Sequence, residues 1–360
     1  MAITTAVLAS CGGEQTQTIQ NKSIPDYPII GGVSAPFAGV VDGQLIVAGG
    51  CNFPDKPVTE GGKKVFYAKS YSVDLNAPDT VWTEQTDIKT PAAYGAAVET
   101  PAGLVCAGGQ CGTETLRDVY IIKYDKATAK TAVDTLQPLP VGIDNGGWAY
   151  ASGKVIVTGG NQQDGGKGLY ALDAAAPQQW EKLTEYPGPK RVQPIVVSDG
   201  TDIYVAGGFQ LDAETKESTL STNVIKYSMT TGEWTELAEI PADKSGAPRC
   251  LVGGSGVFRR GCLILTGGVN YVIFKDAIEG KGPSDYMLKP REWYQFNKDI
   301  LIYDLATGEW RTVYDVQGMN KAGGILVADE TNLYMVCGEL KPGIRTPEIA
   351  TCPISALFAE

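Results

Sequence analysis

The 360-residue chain contains no histidine. This absence excludes Ser-His-Asp and Cys-His catalytic groups, histidine-ligated zinc or copper, and imidazole acid–base chemistry. Proton transfer in this protein must therefore use aspartate, glutamate, tyrosine, lysine or cysteine. The sequence also lacks an apolar run of about 18 residues, so it contains no candidate for a membrane-spanning helix.

Basic residues are outnumbered by acidic ones, 30 to 41, which gives a formal net charge of −11 at pH 7. General nucleic-acid binders carry a basic face, so we expect no nucleic-acid partner. An anionic ligand would have to be held by a few local arginine or lysine residues against an unfavourable overall field.

The eight cysteines form no CxxC pair. A structural zinc site is therefore not expected, and no other metal site is predicted. Several cysteines lie in apolar, strand-like runs, which indicates buried free thiols that pack as small hydrophobic residues. Cys106 and Cys111 flank a glycine turn, and a disulfide between them is the alternative.

Cys11 stands apart from the other cysteines because Leu8-Ala9-Ser10-Cys11-Gly12 matches a bacterial lipoprotein cleavage site. Cys11 would then be lipidated, and residues 1–20 would be a signal remnant and flexible tether. This favours an exported protein, periplasmic or associated with the outer membrane, that meets a membrane only through its anchor. The preceding ten residues contain no lysine or arginine, so a plain disordered N-terminus is the alternative.

One phrase, a short apolar run ending in two glycines, recurs along the chain. The five full copies and a sixth, degenerate one are LIVAGG at 45–50, LVCAGG at 104–109, VIVTGG at 155–160, IYVAGG at 203–208, LILTGG at 263–268 and LYMVCG at 333–338. Their last glycines lie 48 to 70 residues apart. A sustained period of this length indicates a stacked or circular array of similar units.

The units also share a strand-like run downstream of the glycines. In four units a turn then leads to a tryptophan, Trp82, Trp180, Trp234 or Trp310, as in Thr307-Gly308-Glu309-Trp310. This order predicts four short strands per unit and resembles the kelch repeat, which implies an all-β, six-bladed β-propeller over residues 21–360. The last unit lacks a fourth strand. Residues 16–23, followed by 25–28, fit that place, so we expect an N-terminal strand to close the ring in the last blade.

In such a ring, the residues after the glycine pairs emerge on the face where each first strand begins. They are Asn52, Gln110, Asn161, Gln210, Asn270 and Glu339. Arg191 and Arg249 lie near the starts of first strands and should reach the same axial mouth. The alternative is that these polar groups only cap strand ends.

The sixth unit alone places an acid directly after its glycine. Across the Pro342-Gly343 turn, Glu339 and Arg345 could face a common ligand as a general acid/base beside an anion clamp. A surface ion pair is the alternative. Residues 269–297 form a long aromatic-rich insertion, either a lid-like binding element or a small satellite core, with a helix expected over 284–297.

Four stretches, GGKKVFYAKSYS at 61–72, GGVNYVIF at 267–274, EWYQFNKDILIYD at 292–304 and GELKPGIRT at 338–346, resemble the N-acetylneuraminate epimerase family in its cyclically permuted branch. The resemblance implies a mutarotase that converts α-N-acetylneuraminate, an acidic sugar, to the β anomer without a cofactor. It implies Glu339 as the proton acceptor and Arg345 as a substrate-binding residue. Arg191, Arg249 and Asn270 are added as substrate-binding candidates by topology.

A second interpretation is a non-catalytic kelch module that binds a glycan or a protein at the same mouth. A third, a copper-radical sugar oxidase on a kelch propeller, is disfavoured because its copper site needs histidines, of which this chain has none.

Overall fold

The computed structural model of the chain describes residues 23–77 and 79–358. Six antiparallel sheets follow one another along the chain, and their first strands pack in a closed circle in which blade 6 also contacts blade 1. The predicted six-bladed β-propeller is therefore confirmed. In each blade the strands lie side by side in chain order, so the first strand lines the axis and the last lies outermost.

The strands of each rank are as follows. First strands are Phe37–Val41, Ala96–Thr100, Gly147–Ala151, Ile195–Ser198, Gly254–Arg259 and Ile325–Ala328. Second strands are Gln44–Ala48, Gly103–Ala107, Lys154–Thr158, Ile203–Ala206, Cys262–Gly267 and Asn332–Val336. Third strands are Ser70–Asp74, Val119–Asp125, Leu169–Asp173, Asn223–Tyr227, Ile300–Asp304 and Ile349–Pro353. Fourth strands are Thr83–Glu84, Lys130–Thr135, Trp180–Leu183, Trp234–Glu239 and Trp310–Val313.

Short ladders stand above the blades on the face where the glycine pairs end. Four are hairpins between the second and third strands: Cys51–Asn52 with Val65–Phe66, Gln110–Cys111 with Glu114–Thr115, Phe209–Leu211 with Ser218–Leu220, and Glu339–Lys341 with Ile344–Arg345. In blade 3, Asn161–Gln162 pairs instead with Ile143–Asp144. Single bridges such as Ala322 with Glu339 join these ladders to the loops that begin the first strands, so both sets share one face, as predicted.

The glycine pairs turn the chain out of each second strand with left-handed backbone angles, for example φ +67° at Gly49 and +88° at Gly50. A side chain at Gly50 would collide with Val33 of the loop that begins blade 1, so the close approach also requires glycine. In the degenerate sixth copy, Cys337 takes the first position at φ +52°. Non-glycine residues rarely adopt this conformation, and the fully buried setting holds it in place.

The core consists of six apolar layers, each between neighbouring blades. Between blades 6 and 1, for example, Leu45 and Val47 pack with Val327 and Tyr334, and all four are buried. The thiols follow the same pattern. Among the described residues, Cys106 and Cys111 are free, so the alternative disulfide does not form, and the described cysteines other than Cys111 are buried, as expected.

The long insertion contains helix α1 (Tyr271–Ile278) and two 3-10 helices, Tyr286–Leu288 and Arg291–Tyr294. The expectation of a helix over 284–297 is therefore wrong: that range holds the two short 3-10 helices, and the α-helix lies before it. Asn270 caps the start of α1, because its side-chain oxygen accepts the Ile273 N–H at 3.1 Å.

The insertion is anchored on two other blades. The Glu279 carboxylate accepts hydrogen bonds from the backbone and hydroxyl of Ser218 in blade 4, and Phe274 packs edge-to-face on Phe209. In blade 6, Lys341 donates to the carbonyl of Lys289 at 2.7 Å. The insertion is thus a packed wall beside the mouth, with its own small core, which fits the satellite-core alternative.

Described residues 23–30 lie between blades 6 and 1 without forming a strand; the rest of the predicted closing strand, residues 16–22, lies outside the described residues. The Trp180 and Trp234 indoles each donate to a carbonyl just beyond the fourth strand of the preceding blade, Gln137 and Thr184. Trp82 of blade 1 donates to Pro25 in the same way. The N-terminal segment therefore occupies the position that follows a fourth strand of blade 6. In the sixth sheet, the described residues form three strands, followed by helix α2 (Ile354–Leu357).

Cys11 and the tether predicted over residues 1–20 lie outside the described residues. Of the helices that the structure describes, none has the length and apolar character needed to cross a bilayer.

The contact that joins the two ends of the chain is open to a stability test. Tyr27 is 2% exposed, packs edge-to-face on Tyr71 and Trp82, and donates its backbone N–H to Pro347. We expect Tyr27→Ala to lower the free energy of unfolding by about 3 to 5 kcal/mol, as for other buried aromatic truncations. Denaturant titration measures this change.

The matched control is Tyr314→Ala, at a tyrosine that is 45% exposed and contacts Lys244. It should cost no more than about 1 kcal/mol. Equal effects of the two substitutions would contradict the role of Tyr27 in closing the ring.

Candidate active site at the axial mouth

A closed circle of backbone hydrogen bonds surrounds the axis on the glycine-pair face. One residue from the start of each blade donates its N–H to the carbonyl of the equivalent residue in the preceding blade, at 2.6 to 3.4 Å. All six have left-handed backbone angles, with φ between +50° and +73°. They are Ala35, Tyr94, Asn145, Gln193, Gly253 and Gly323.

Beneath this circle the axial channel is divided. A cavity of about 60 Å³ lies next to the circle, and a larger one of about 400 Å³ lies towards the opposite face. Trp148 of blade 3 lines both cavities and packs against the apolar layer between blades 6 and 1. The indole therefore borders both cavities, and the smaller cavity is lined by five of the six residues of the circle.

At this mouth, the two residues singled out in the sixth repeat face each other. Glu339 and Arg345 are paired across the hairpin, and Arg345 Nη2 lies 2.6 Å from Glu339 Oε1. The Arg345 side chain is 4% exposed and that of Glu339 is 21% exposed. The pair is thus largely buried, unlike a freely solvated surface ion pair, and the Glu339 side chain is its more exposed member.

Opposing effects act on the Glu339 carboxyl group. Burial raises its pKa above the ordinary glutamate value, while the positive charges of Arg345 and Lys64 partly offset that rise. A carboxylate with a raised pKa is a better proton acceptor than an ordinary one, because it holds an abstracted proton more tightly.

The Arg345 guanidinium is only partly used within the described structure. Nη2 pairs with Glu339, and the group stacks on the Phe53 ring at 4.7 Å. Its Nε and Nη1 atoms are buried and have no hydrogen-bond partner in the described part of the chain. Leaving buried donors unpaired costs free energy, so these two N–H groups indicate a place for an acceptor such as a ligand carboxylate.

Several residues at the mouth were not assigned by the sequence analysis. Blade 1 contributes Cys51, Phe53 and Lys64, and blade 2 contributes Tyr94. Cys51 and Lys64 each lie 3.4 to 3.5 Å from the Tyr94 hydroxyl. Lys64 falls in a stretch that carried the family resemblance, 61–72, whereas Tyr94 had no signal beyond its place at the start of blade 2.

Arg191 is not directed to Glu339. It is 3% exposed, and its guanidinium donates to the Gly207 carbonyl and to the carbonyl and side chain of Asn223. These contacts stay within blade 4 because the side chain folds back over the second and third strands. They contradict the expectation, based on topology, that the Arg191 side chain reaches the axial mouth, and they indicate a structural role.

Arg249 and Asn270 support the insertion rather than the Glu339 pocket. Arg249 is paired with Asp299 at 2.7 Å and also donates to Asn297, although its Nε and Nη2 lack partners among the described residues. Asn270 caps α1 and donates to Gln295 at 3.3 Å. Substrate contact by either residue stays a prediction.

Most of the amides that follow the other glycine pairs form hydrogen bonds with nearby residues of the protein. Asn52 donates to the Ile30 and Gly32 carbonyls, Asn161 donates to Asp144, and Gln210 accepts the Lys190 N–H. For these residues the capping alternative holds. Asn52, Asn161 and Gln210 are therefore engaged within the protein and are not free amides at the mouth.

Comparisons with known proteins identify the family and support the fold. The sequence model described as N-acetylneuraminate epimerase matches residues 137–359. The chain is 32% identical over 234 residues to the N-acetylneuraminate epimerase of Haemophilus influenzae (strain 86-028NP), covering 61% of this chain and 60% of that protein. It is 30% identical over 229 residues to the one from Salmonella enteritidis PT4 (strain P125109), with 60% and 57% covered.

Among solved structures, one titled "Structure of YjhT" superposes with a TM-score of 0.65 at 17% identity, covering 92% of this chain and 96% of that one. At this identity the likeness concerns the fold. The protein is thus a kelch-type β-propeller with a buried carboxylate–guanidinium pair at its mouth. Because the family match covers more than half of the chain and includes Glu339 and Arg345, the chain belongs to the N-acetylneuraminate epimerase family. Its matches span about 60% of the length of these curated relatives.

The electrostatics of the pair can be tested without a ligand. Replacing Arg345 by glutamine removes the largest influence that lowers the Glu339 pKa, so that pKa should rise further. Carbon-13 NMR titration of labelled glutamate carboxyl groups, assigned with Glu339→Gln, measures it.

The control for this titration is Arg291→Gln, on the insertion, where the guanidinium donates to Asn320. It should leave the Glu339 titration unchanged. A Glu339 pKa that stays constant or falls in Arg345→Gln would contradict the electrostatic balance described here.

Proposed function

We propose that this protein is a mutarotase that converts the α anomer of N-acetylneuraminate to the β anomer. The observation that carries the proposal is the pairing of Glu339, partly exposed and with a raised pKa, with an arginine that keeps two buried donors unused. The named relatives act as support, since their names specify N-acetylneuraminate epimerase.

The substrate is a cyclic hemiketal of a keto acid. In the proposed reaction, the Glu339 carboxylate accepts the proton of the anomeric hydroxyl and the electrons of that O–H bond form the carbonyl. The bond between the anomeric carbon and the ring oxygen breaks, and the ring oxygen takes a proton from water or from a second acid. The open-chain ketone turns its other face to the freed hydroxyl. Closure reverses the two proton transfers, so the enzyme returns to its starting state without a redox change.

Arg345 is suited to the substrate carboxylate because a guanidinium forms charge-assisted hydrogen bonds with carboxylates. Its Nε and Nη1 are covered in the structure, so binding requires a neighbouring side chain to shift, and Phe53 lies directly against the guanidinium. The bound carboxylate would then offset the positive charge of Arg345 and make Glu339 a stronger proton acceptor.

Anomer exchange can be followed directly by proton NMR on freshly released α-N-acetylneuraminate. The wild-type protein should exceed the buffer rate. Glu339→Gln should lower the catalysed rate by about 10²- to 10⁴-fold, since it keeps the shape but removes the proton acceptor. The wild-type rate should also fall as pH drops through the raised pKa of Glu339, because only the carboxylate accepts a proton.

The control is Glu309→Gln, in an exposed turn of blade 5. It should retain the wild-type rate. A wild-type protein that never exceeds the buffer rate would favour the second candidate, a non-catalytic kelch module, and calorimetry with the same sugar would then separate glycan binding from protein binding.

Export with a lipid anchor at Cys11 completes the proposal and rests on the sequence around that residue. Radiolabelled palmitate fed to a bacterial host expressing the full chain should label the wild type and not Cys11→Ser. Cys51→Ser, which alters a buried cysteine, is the matched control and should retain the label. Equal labelling of wild type and Cys11→Ser would overturn the anchor.

A further inference from the structure

A second side chain with an ionisable O–H group, that of Tyr94, lies at the mouth besides that of Glu339. Tyr94 belongs to the closed circle of backbone hydrogen bonds, so its main chain is fixed on both sides, by Ala35 and by Asn145. Its side chain is partly exposed. The circle links Tyr94 through Ala35 to Gly323, whose neighbour Ala322 bridges to Glu339. The charges of Glu339 and Arg345 both act on the Tyr94 hydroxyl.

The Tyr94 hydroxyl accepts hydrogen bonds and has its own proton to give. The Cys51 thiol donates to Tyr94 Oη at 3.4 Å, and the Lys64 ammonium lies 3.5 Å from the same oxygen. A phenol oxygen has two lone pairs and one proton, so two incoming donors leave the proton as its remaining hydrogen-bonding capacity. The cluster therefore leaves the Tyr94 hydroxyl proton as a donor at the mouth that also holds the acceptor Glu339.

Lys64 adds a charge that suits this role. Its ammonium lies 5.3 Å from the centre of the Tyr94 ring. A cation beside a phenol stabilises the phenolate left after the proton departs. In the resting protein, burial raises the Tyr94 pKa well above its ordinary value, so the hydroxyl carries its proton at neutral pH.

From this arrangement we propose that Tyr94 is the catalytic acid of the mutarotase, the partner of the base Glu339. The inference rests on the proposed function. In ring opening, Glu339 takes the anomeric hydroxyl proton, the electrons of that O–H bond form the carbonyl, the bond to the ring oxygen breaks, and Tyr94 gives its proton to that oxygen. In closure, the Tyr94 phenolate takes back the proton of the attacking hydroxyl and Glu339 returns its proton to the carbonyl oxygen.

The test is Tyr94→Phe in the full-length protein, with anomer exchange followed by proton NMR. Loss of a catalytic acid should lower kcat by about 10² or more and change KM by no more than about threefold. The rate in mixtures of light and heavy water should report two transferred protons for the wild type and one for the variant. The acid limb of the pH profile, which belongs to Glu339, should not move.

The matched control is Tyr67→Phe. The Tyr67 hydroxyl lies in the same blade 1 hairpin region and donates to Asn52 at 2.7 Å. Its proton is therefore already used in a hydrogen bond within the protein. Its loss should leave kcat within about twofold of the wild type. Lys64→Met should lower kcat while the Tyr94 hydroxyl is retained, because the phenolate loses its neighbouring cation.

The outcomes separate the two proposals. If the wild type shows no exchange above buffer, the proposed function itself fails. If the wild type is active and Glu339→Gln is not, but Tyr94→Phe keeps its kcat and its two-proton isotope dependence, the assignment of Tyr94 is overturned. Should Tyr94→Phe fail to fold, a fluorinated tyrosine at position 94, with a more acidic phenol, must move the alkaline limb of the rate to lower pH; an unmoved limb also overturns the assignment.

Discussion

Six left-handed residues, hydrogen-bonded head to tail around the axis, set the geometry on which the candidate site depends. Ser34 and Ala322, each directly before a member of the circle, bridge to Cys51 and Glu339, and Tyr94 is itself a member. Three blades therefore position their mouth residues from one closed frame. A shift of any blade along the axis would break two of these hydrogen bonds. The circle therefore resists the small displacements of catalytic groups that acid–base catalysis does not tolerate.

The site depends next on a balance between burial and charge. Burial alone would push Glu339 towards a neutral carboxylic acid, which could not accept a proton. Arg345 and Lys64 keep the carboxylate accessible as an anion while burial keeps its proton affinity above that of a solvated glutamate. Arg345 can do this because only one of its three nitrogens is committed to the pair.

The sequence was sufficient for the architecture because the repeats encode it locally. Each glycine pair needs left-handed angles and close backbone approach, so the pairs mark the end of a second strand wherever they occur. The convergence of Glu339 and Arg345 was also predictable, since a two-residue turn at Pro342-Gly343 returns the hairpin on itself. Even the degenerate copy kept its register, with Cys337 adopting the angle of the missing glycine.

The sequence could not indicate which polar side chains form hydrogen bonds or ion pairs within the fold and which stay available at the mouth. Arg191 and Arg249 start in comparable places, but one folds over its own blade and the other meets Asp299, fifty residues further along the chain. The sequence places Asn270 among the amides expected at the mouth, but in the structure Asn270 caps helix α1. Tyr94 lies in no motif, and its proposed role depends on contacts with residues 30 and 43 positions away in the sequence. Long-range pairings of this kind depend on blade packing rather than on local pattern.

The proposed reaction also explains why a histidine-free, acidic protein is adequate for it. Mutarotation removes one proton from the substrate and adds another, then reverses both transfers. The proton acceptor and the proton donor therefore regain their starting protonation states in each reaction. No group has to exchange a proton with the solvent near neutral pH, as a histidine would. The formal charge of −11 would repel an acidic sugar at long range, yet salt screens exposed charges over about 10 Å at 0.1 M. Within that distance, Arg345 and Lys64 are the cations that act on Glu339. In the proposed reaction, the local field at the mouth, not the charge of the whole molecule, would therefore govern the capture of the substrate carboxylate.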